Sequence, residues 1–159
     1  MAPGPKSHIA IRDGLLVSCL MSFCWVGYYR YSYNIPFFNS SIINWFAFLL
    51  WSTGLFITIR TYEWFKSLFR RFWVRIPVLW ICYFMTLLAI EYLGYYVLKI
   101  REVTTENPLF LGLIHGTWTL KVYYLTAGII AIFLRHVFKK GSQIIFPSTE
   151  TKTSEMQIL

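Results

Sequence analysis

Residues 76–98 read IPVLWICYFMTLLAIEYLGYYVL, and the only charged side chain in this stretch is Glu91. A helix that crosses the hydrocarbon core of a bilayer needs about 20 apolar residues, because each residue adds about 1.5 Å. A helix on the surface of a soluble bundle would instead carry a polar face on every turn. Residues 76–98 lack such a face, so they predict a transmembrane helix with one carboxylate inside it.

Three other stretches have the same character. Residues 14–29 and 42–59 contain no charged side chain, and residues 108–134 contain only Lys121. The first stretch is short, but it is long enough if the side chain of Arg30 extends to the headgroups. The predicted fold class is therefore all-α: a polytopic integral membrane protein with four transmembrane helices in an antiparallel bundle. The spans are predicted at about residues 14–33, 42–59, 76–98 and 108–134.

The composition of the chain agrees with this class. Of its 159 residues, 57% are hydrophobic and 14% are charged, whereas a soluble domain is about 45–50% apolar and about 25% charged. We expect one four-helix transmembrane domain at residues 14–138, preceded by a polar cytoplasmic N-terminus at residues 1–13. The polar tail at residues 139–159 is rich in Ser and Thr, and it is expected to be disordered.

The distribution of Lys and Arg predicts the orientation of the four spans. In a four-span protein, both termini share one side with the loop between spans two and three. That side carries 11 of the 15 Lys and Arg residues, the opposite side carries three, and Lys121 lies within a span. Because cytoplasmic loops retain positive charge, both termini are predicted to be cytoplasmic. The net charge of +8 then reflects topology, and no loop is long enough to form a nucleic-acid-binding surface.

The loop between spans two and three, RTYEWFKSLFRRFWVR at residues 60–75, combines aromatic and basic residues. Its apolar residues recur at steps of three and four and would share one helical face, with the basic residues largely opposite. This pattern is typical of an interfacial helix in the headgroup layer, which Pro77 would end. The alternative is that spans two and three extend through the segment. On the first interpretation, anionic lipid headgroups bind the basic residues Lys66, Arg70, Arg71 and Arg75.

Two ionisable residues, Glu91 and Lys121, are predicted to lie inside spans three and four. A charge at the bilayer centre costs about 2.5–3.5 kcal/mol on insertion scales, so such residues face the interior of a bundle. The loop between these spans is short, which makes the two helices neighbours. We therefore predict that Glu91 and Lys121 interact, directly or through water. His115 is placed at the rim of the same pocket, whose other predicted members are Asn44, Gly94, Tyr95, Thr117 and Trp118.

This constellation leaves two interpretations open. In the first, Glu91 and Lys121 lock the bundle or a subunit interface. In the second, Glu91 is a catalytic proton donor or acceptor, and Lys121 and His115 assist it. No motif in the chain identifies a reaction, so whether the protein is an enzyme stays open. The three cysteines fall inside spans without a C-x-x-C pair, and neither a metal site nor a cofactor is predicted.

Three functions follow, in order of preference. The first is a non-catalytic accessory, assembly or lipid-contacting membrane protein, whose partners are lipids, other membrane proteins or a second copy of the chain. The alternative is a membrane-embedded enzyme that acts on a lipophilic substrate, such as an isoprenoid, a sterol-like molecule or a lipid, with Glu91 as general acid or base. A second alternative is an oligomeric channel or transporter in which Glu91 is the ion or proton site.

Overall fold

The structure is a computed structural model, and it describes residues 5–29, 31–39, 42–101, 110 and 112–145. This part of the chain is all-helical. It contains four α-helices, which we label α1 (Pro5–Tyr28), α2 (Trp45–Leu68), α3 (Phe72–Tyr92) and α4 (Trp118–Ile145). A 3₁₀ turn precedes α2 at Pro36–Phe38, and a π-helical turn at Leu93–Val97 continues α3. The predicted helical class is therefore confirmed.

Two helical segments of the described chain are long and apolar enough to cross a membrane. They are Phe72–Val97, which comprises α3 and its π-helical turn, and Trp118–Gly141 in α4. These segments overlap the third and fourth predicted spans. The first and second predicted spans fall mainly within α1 and α2, which are helical as well.

The first helix differs from its prediction at both ends. It begins at Pro5 rather than near residue 14, so residues 5–13 of the predicted polar N-terminus are helical. It ends at Tyr28 rather than near residue 33. The chain leaves the helix there because the side chain of Asn39 holds the next segment, accepting from the backbone N–H of Tyr33 and donating to its carbonyl oxygen.

The predicted interfacial helix between α2 and α3 is absent from this region. Residues 60–68 are the end of α2, and α3 begins at Phe72, so only Phe69–Arg71 connects them. The guanidinium of Arg75 closes this turn by donating to the carbonyl oxygen of Phe69 over 3.2 and 3.0 Å. Pro77 lies inside α3 and does not break it. Pro77 is the sixth residue of α3, so its missing N–H removes one backbone hydrogen bond, yet the helix continues to Tyr92.

The start of α4 was predicted wrongly. The expected N-cap and first residue, Asn107 and Pro108, lie outside the described residues, but residues 112–117 are not helical and α4 begins at Trp118. The reason is backbone geometry. Gly112 and Gly116 have φ angles of +77° and +108°, which a right-handed helix excludes. A Cβ at Gly116 would also lie 2.8 Å from Cδ2 of Leu120, so only glycine fits there.

The helices pack around three buried clusters. The first is rich in aromatic rings, the second is small and aliphatic, and the third lies near the α2–α3 turn. Their central members are Trp25, Phe84 and Tyr124; Val17, Leu55 and Ala127; and Phe65, Leu79 and Ile132. Helices α1, α2 and α4 contact one another, and α3 packs against both α2 and α4.

The contact between α3 and α4 depends on a small residue and an indole. The ring of Tyr83 lies against Gly128, where an added Cβ would come within 3.2 Å of it. The indole N–H of Trp80 donates to the carbonyl oxygen of Leu125 over 2.8 Å. Gly94, in contrast, does not mediate a close approach between helices, since a Cβ added there would meet only the side chain of Ile100, at 4.0 Å.

Candidate functional site

A cavity of about 390 Å³ lies between α2 and α3. Its walls are mostly apolar, and Leu50 and Ile57 from α2 and Ile90 from α3 belong to them. These three side chains are 46%, 56% and 50% exposed, so the cavity opens sideways between the two helices. We call it the groove. Its volume falls in the range of about 300–1,000 Å³ that small-molecule pockets occupy.

One end of the groove is polar. There Glu91, at the end of α3, forms a buried ion pair with Arg101. Nη1 of Arg101 lies 3.0 Å from Oε1 and 2.7 Å from Oε2 of the carboxylate. The hydroxyl of Tyr124, in α4, donates to Oε1 over 2.6 Å. Glu91 thus accepts hydrogen bonds from a guanidinium and from a phenol in a mostly apolar setting.

Arg101 reaches Glu91 because the chain reverses after the π-helical turn. Lys99 adopts a positive φ of 50°, and the N–H of Ile100 bonds back to the carbonyl oxygen of Gly94 over 3.0 Å. Asn34 holds the reversed segment by donating its backbone N–H to Ile100 and its side-chain amide to Lys99. π-Helical turns are rare in proteins, but those that occur are often found at functional sites. They shift the direction of the side chains that follow.

The guanidinium of Arg101 is enclosed by aromatic rings. Its Cζ atom lies 4.8 Å from the ring centre of Tyr95 and 5.6 Å from that of Tyr31. Burial by itself lowers the pKa of Arg101, but the adjacent Tyr124 and Glu91 raise it, and the net pKa lies above its ordinary value. Arg101 is therefore a permanent cation despite its burial.

Tyr31 is the second polar group at this end. The indole N–H groups of Trp25 and Trp51 both donate to its hydroxyl oxygen over 2.7 Å. Burial raises the pKa of Tyr31 well above its ordinary value, although these two hydrogen bonds and Arg101 lower it. Tyr31 therefore stays a neutral phenol, and it lines the groove beside Arg101.

The structure brings some of the predicted site residues together and separates others. Glu91 and Gly94 line the groove, and Tyr95 lies beneath the guanidinium of Arg101. The ion pair that Glu91 makes with a described residue is to Arg101, and the predicted interaction of Glu91 with Lys121, directly or through water, stays a prediction. Since α4 starts ten residues late, Lys121 lies in its first turn, with its ammonium 5.1 Å from the Trp118 ring centre.

The remaining predicted pocket residues lie outside the groove walls. His115 is buried and packs on Tyr95 at 4.7 Å between ring centres, but it precedes α4 instead of lying within it. Thr117 is bonded to the side chain of Thr119, and Trp118 is 72% exposed. Asn44 caps α2, since its side-chain oxygen accepts from the N–H of Ala47.

Two of the predicted headgroup-binding residues have partners within the protein. Lys66 pairs with Glu63 over 2.8 Å, and Arg75 closes the α2–α3 turn. Arg70 and Arg71 are exposed. Glu63 also accepts from the buried Arg135 of α4, which makes a second carboxylate–arginine pair. Burial raises the pKa of Glu63, but Lys66 and Arg135 lower it, and the net pKa lies below its ordinary value.

Sequence reasoning missed Arg101, Tyr124 and Tyr31 as members of the site. Arg101 was assigned to a connecting loop, and no pattern in the sequence signals the π-helical turn and the reversal that return it to Glu91. Tyr124 lies within the fourth predicted span at i+3 from Lys121, so helical spacing could have placed it on the same face. In the part of the chain that is described, no three His, Cys, Asp or Glu side chains form a group able to hold a metal ion.

In comparisons with known proteins, no family model, no curated protein and no solved structure matches this chain.

Proposed function

We propose that this protein is a membrane protein with four transmembrane helices in an antiparallel bundle and with cytoplasmic termini. Its proposed function is to hold one lipophilic molecule in the groove between α2 and α3 without transforming it. This is the lipid-contacting form of the first function that the sequence suggests. The groove, with its apolar walls and polar end, is the single observation that carries the proposal.

The surface of the helices supports a membrane location. In the most apolar 18-residue stretch of Phe72–Val97, only 17% of the residues are buried within the protein. A core helix of a soluble protein would be mostly buried. Large apolar side chains are also exposed on the other helices, for example Phe23, Leu49 and Phe133. Acyl chains would cover this surface, and in water it would form the large apolar patches that soluble proteins avoid.

The shape of the groove supports binding of an amphiphile. The groove opens sideways through exposed apolar residues, so a molecule dissolved in the bilayer would enter without crossing water. Its apolar part would lie along α2 and α3, and its polar end would meet Glu91, Arg101 and Tyr31. Ligand sites of this kind are largely apolar, with a few polar groups that fix orientation.

The geometry favours binding over catalysis. A general acid or base must be able to reach its substrate, and three hydrogen bonds from Arg101 and Tyr124 already engage the carboxylate of Glu91. Of the three residues predicted to be catalytic, only Glu91 lines the groove, while Lys121 and His115 do not. The hypothesis of an enzyme on a lipophilic substrate therefore has less support than a binding function.

The test fills the groove and measures the bound lipid. Gly54 lines the groove and has nothing within 4 Å of a built Cβ, so Gly54→Leu places a side chain in open space. Gly27→Leu in α1 is the matched control, because Gly27 also has open space around it but does not line the groove. Mass spectrometry of lipids extracted from the purified proteins gives the bound amount per chain. We expect about a tenfold loss for Gly54→Leu and no loss for Gly27→Leu. Equal lipid content in both variants would contradict the proposal.

A further inference from the structure

We propose that the ligand of the groove is an uncharged lipid whose polar end carries a hydroxyl or carbonyl oxygen, and not a phospholipid with a charged headgroup. This inference rests on the proposed function, because it specifies what the groove holds. It follows from the hydrogen-bonding capacity and the charge of the polar end.

The first argument is the remaining capacity of Tyr31. A phenolic oxygen has one proton to donate and lone pairs to accept with. The two indole N–H groups of Trp25 and Trp51 already occupy its acceptor capacity. What Tyr31 can still offer to a ligand is its proton, so this residue selects for a ligand that accepts a hydrogen bond.

The second argument is the remaining capacity of Arg101. A guanidinium has five N–H donors on three nitrogens. Every hydrogen bond that Arg101 makes to a described residue comes from Nη1, toward Glu91 and Tyr124. Toward the described residues, Nε and Nη2 retain their donors, and Arg101 lines the groove. The polar end therefore presents more donors than acceptors, which suits an oxygen atom of the ligand.

The third argument is charge. Among the described residues that line the groove, Glu91 is the only carboxylate and Arg101 the only cation, and they neutralise each other. A headgroup with a net charge would leave one charge without a counter-ion in a mostly apolar groove, which is unfavourable. A hydroxyl or carbonyl oxygen accepts from Arg101 and Tyr31 without adding charge. A hydroxyl can also donate to Glu91, whose Oε2 accepts only from Arg101 among the described residues.

The experiment compares probes that share one chain and differ in the polar end. Hexadecan-1-ol and hexadecane-1-sulfonate are titrated into the purified full chain in a neutral detergent, and the bound fraction is measured by native mass spectrometry. We expect the wild-type protein to bind the alcohol at least about tenfold more tightly than the sulfonate. Gly54→Leu should weaken the binding of both probes, while Gly27→Leu should leave it unchanged.

A single substitution should reverse the preference. Glu91→Gln keeps the shape of the side chain and an oxygen that can accept from Arg101 and Tyr124, but it leaves the polar end with a net charge of +1. We expect this variant to bind the sulfonate more tightly than the alcohol. If it does not fold, as judged by helicity and elution volume, Arg101→Lys is measured in its place. This variant keeps the charge balance but removes the donors on Nε and Nη2, and the advantage of the alcohol should fall severalfold.

The outcomes separate this inference from the function on which it rests. If Gly54→Leu blocks both probes but the wild-type protein binds the sulfonate as tightly as the alcohol, the ligand class is wrong and the groove still binds lipid. If Gly54→Leu leaves both probes bound as in the wild type, the groove is not a binding site and the proposed function fails as well.

Discussion

Two of the carboxylate–arginine pairs between described residues, Glu91–Arg101 and Glu63–Arg135, differ in their surroundings. Glu91 and Arg101 have side chains that are 8% and 15% exposed, and both line the groove. Glu63 and Arg135 are 26% and 6% exposed, and neither lines it. Glu91 contacts α4 at Tyr124, and Glu63 contacts it at Arg135. These two residues are 11 positions apart, or about 16 Å along the helix axis.

This difference shows how an ion pair at a candidate ligand site differs from one that only joins two helices. Glu63 receives Lys66 from its own helix and Arg135 from α4, and these contacts tie the end of α2 to α4. Glu91 is held as firmly, but Arg101 keeps free donors next to an open groove. The residue types are the same in both places. The open groove beside Glu91 and Arg101 makes this pair accessible to a ligand, whereas Glu63 and Arg135 do not line that groove.

The largest expected effect comes from removing the partner of Glu91. Arg101→Met would leave a buried carboxylate with the hydroxyl of Tyr124 alone, and we expect a loss of about 3–5 kcal/mol in the free energy of unfolding. Denaturant titration in detergent micelles measures this loss. The double variant Arg101→Met with Glu91→Gln should recover much of the stability, because no uncompensated charge remains. A double variant as unstable as Arg101→Met would contradict the importance of this pair.

A smaller effect is expected from Tyr124→Phe, which removes the hydrogen bond to Oε1 of Glu91. A hydrogen bond to a charged group contributes about 1.5–3 kcal/mol, and the same titration measures the loss. Tyr123→Phe is the matched control. The hydroxyl of Tyr123 is buried and has no hydrogen-bond partner among the described residues, so its removal should be neutral or slightly stabilising. Equal losses for the two neighbours would argue against a special role of Tyr124.

The smallest effect is expected at the second pair. Arg135→Met leaves Glu63 with Lys66 and with access to water, so the loss in unfolding free energy should be about 1 kcal/mol. The amount of copurified lipid should not change, because Arg135 lies outside the groove. A loss of lipid as large as that of Gly54→Leu would show that the two pairs are not independent.

The pH dependence sharpens this last prediction. The pKa of Glu63 is lower in the folded protein than its ordinary value. Such a group stabilises the fold above its unfolded pKa of about 4.3, and this contribution is lost as the pH falls through the folded pKa. The difference in stability between the wild type and Arg135→Met should therefore shrink below about pH 4. A difference that stays constant between pH 7 and pH 3.5 would assign the effect of Arg135 to packing alone.

The segments that sequence analysis placed correctly are those in which one local property dominates. The stretch around Glu91 is apolar for far more than a helical turn, so its helical state follows from composition and length. The same reasoning failed at residues 112–117. They belong to a stretch with a single charged residue, but it contains two glycines whose positive φ angles are incompatible with a helix. It also failed at residues 60–75, where two helices extend into a short turn instead of leaving an independent interfacial helix.

The sequence by itself determined that the chain is helical and that Glu91 is exceptional, because a long apolar run and a lone carboxylate within it are local facts. Only the tertiary structure decided the partner of Glu91. Helical register pointed to Lys121, whereas Arg101 reaches Glu91 through a π-helical turn and a left-handed residue that the sequence did not predict. The groove likewise arises from the way α3 packs on α2 and α4. Composition sets which surfaces are apolar, but the space left between two helices depends on how all four pack.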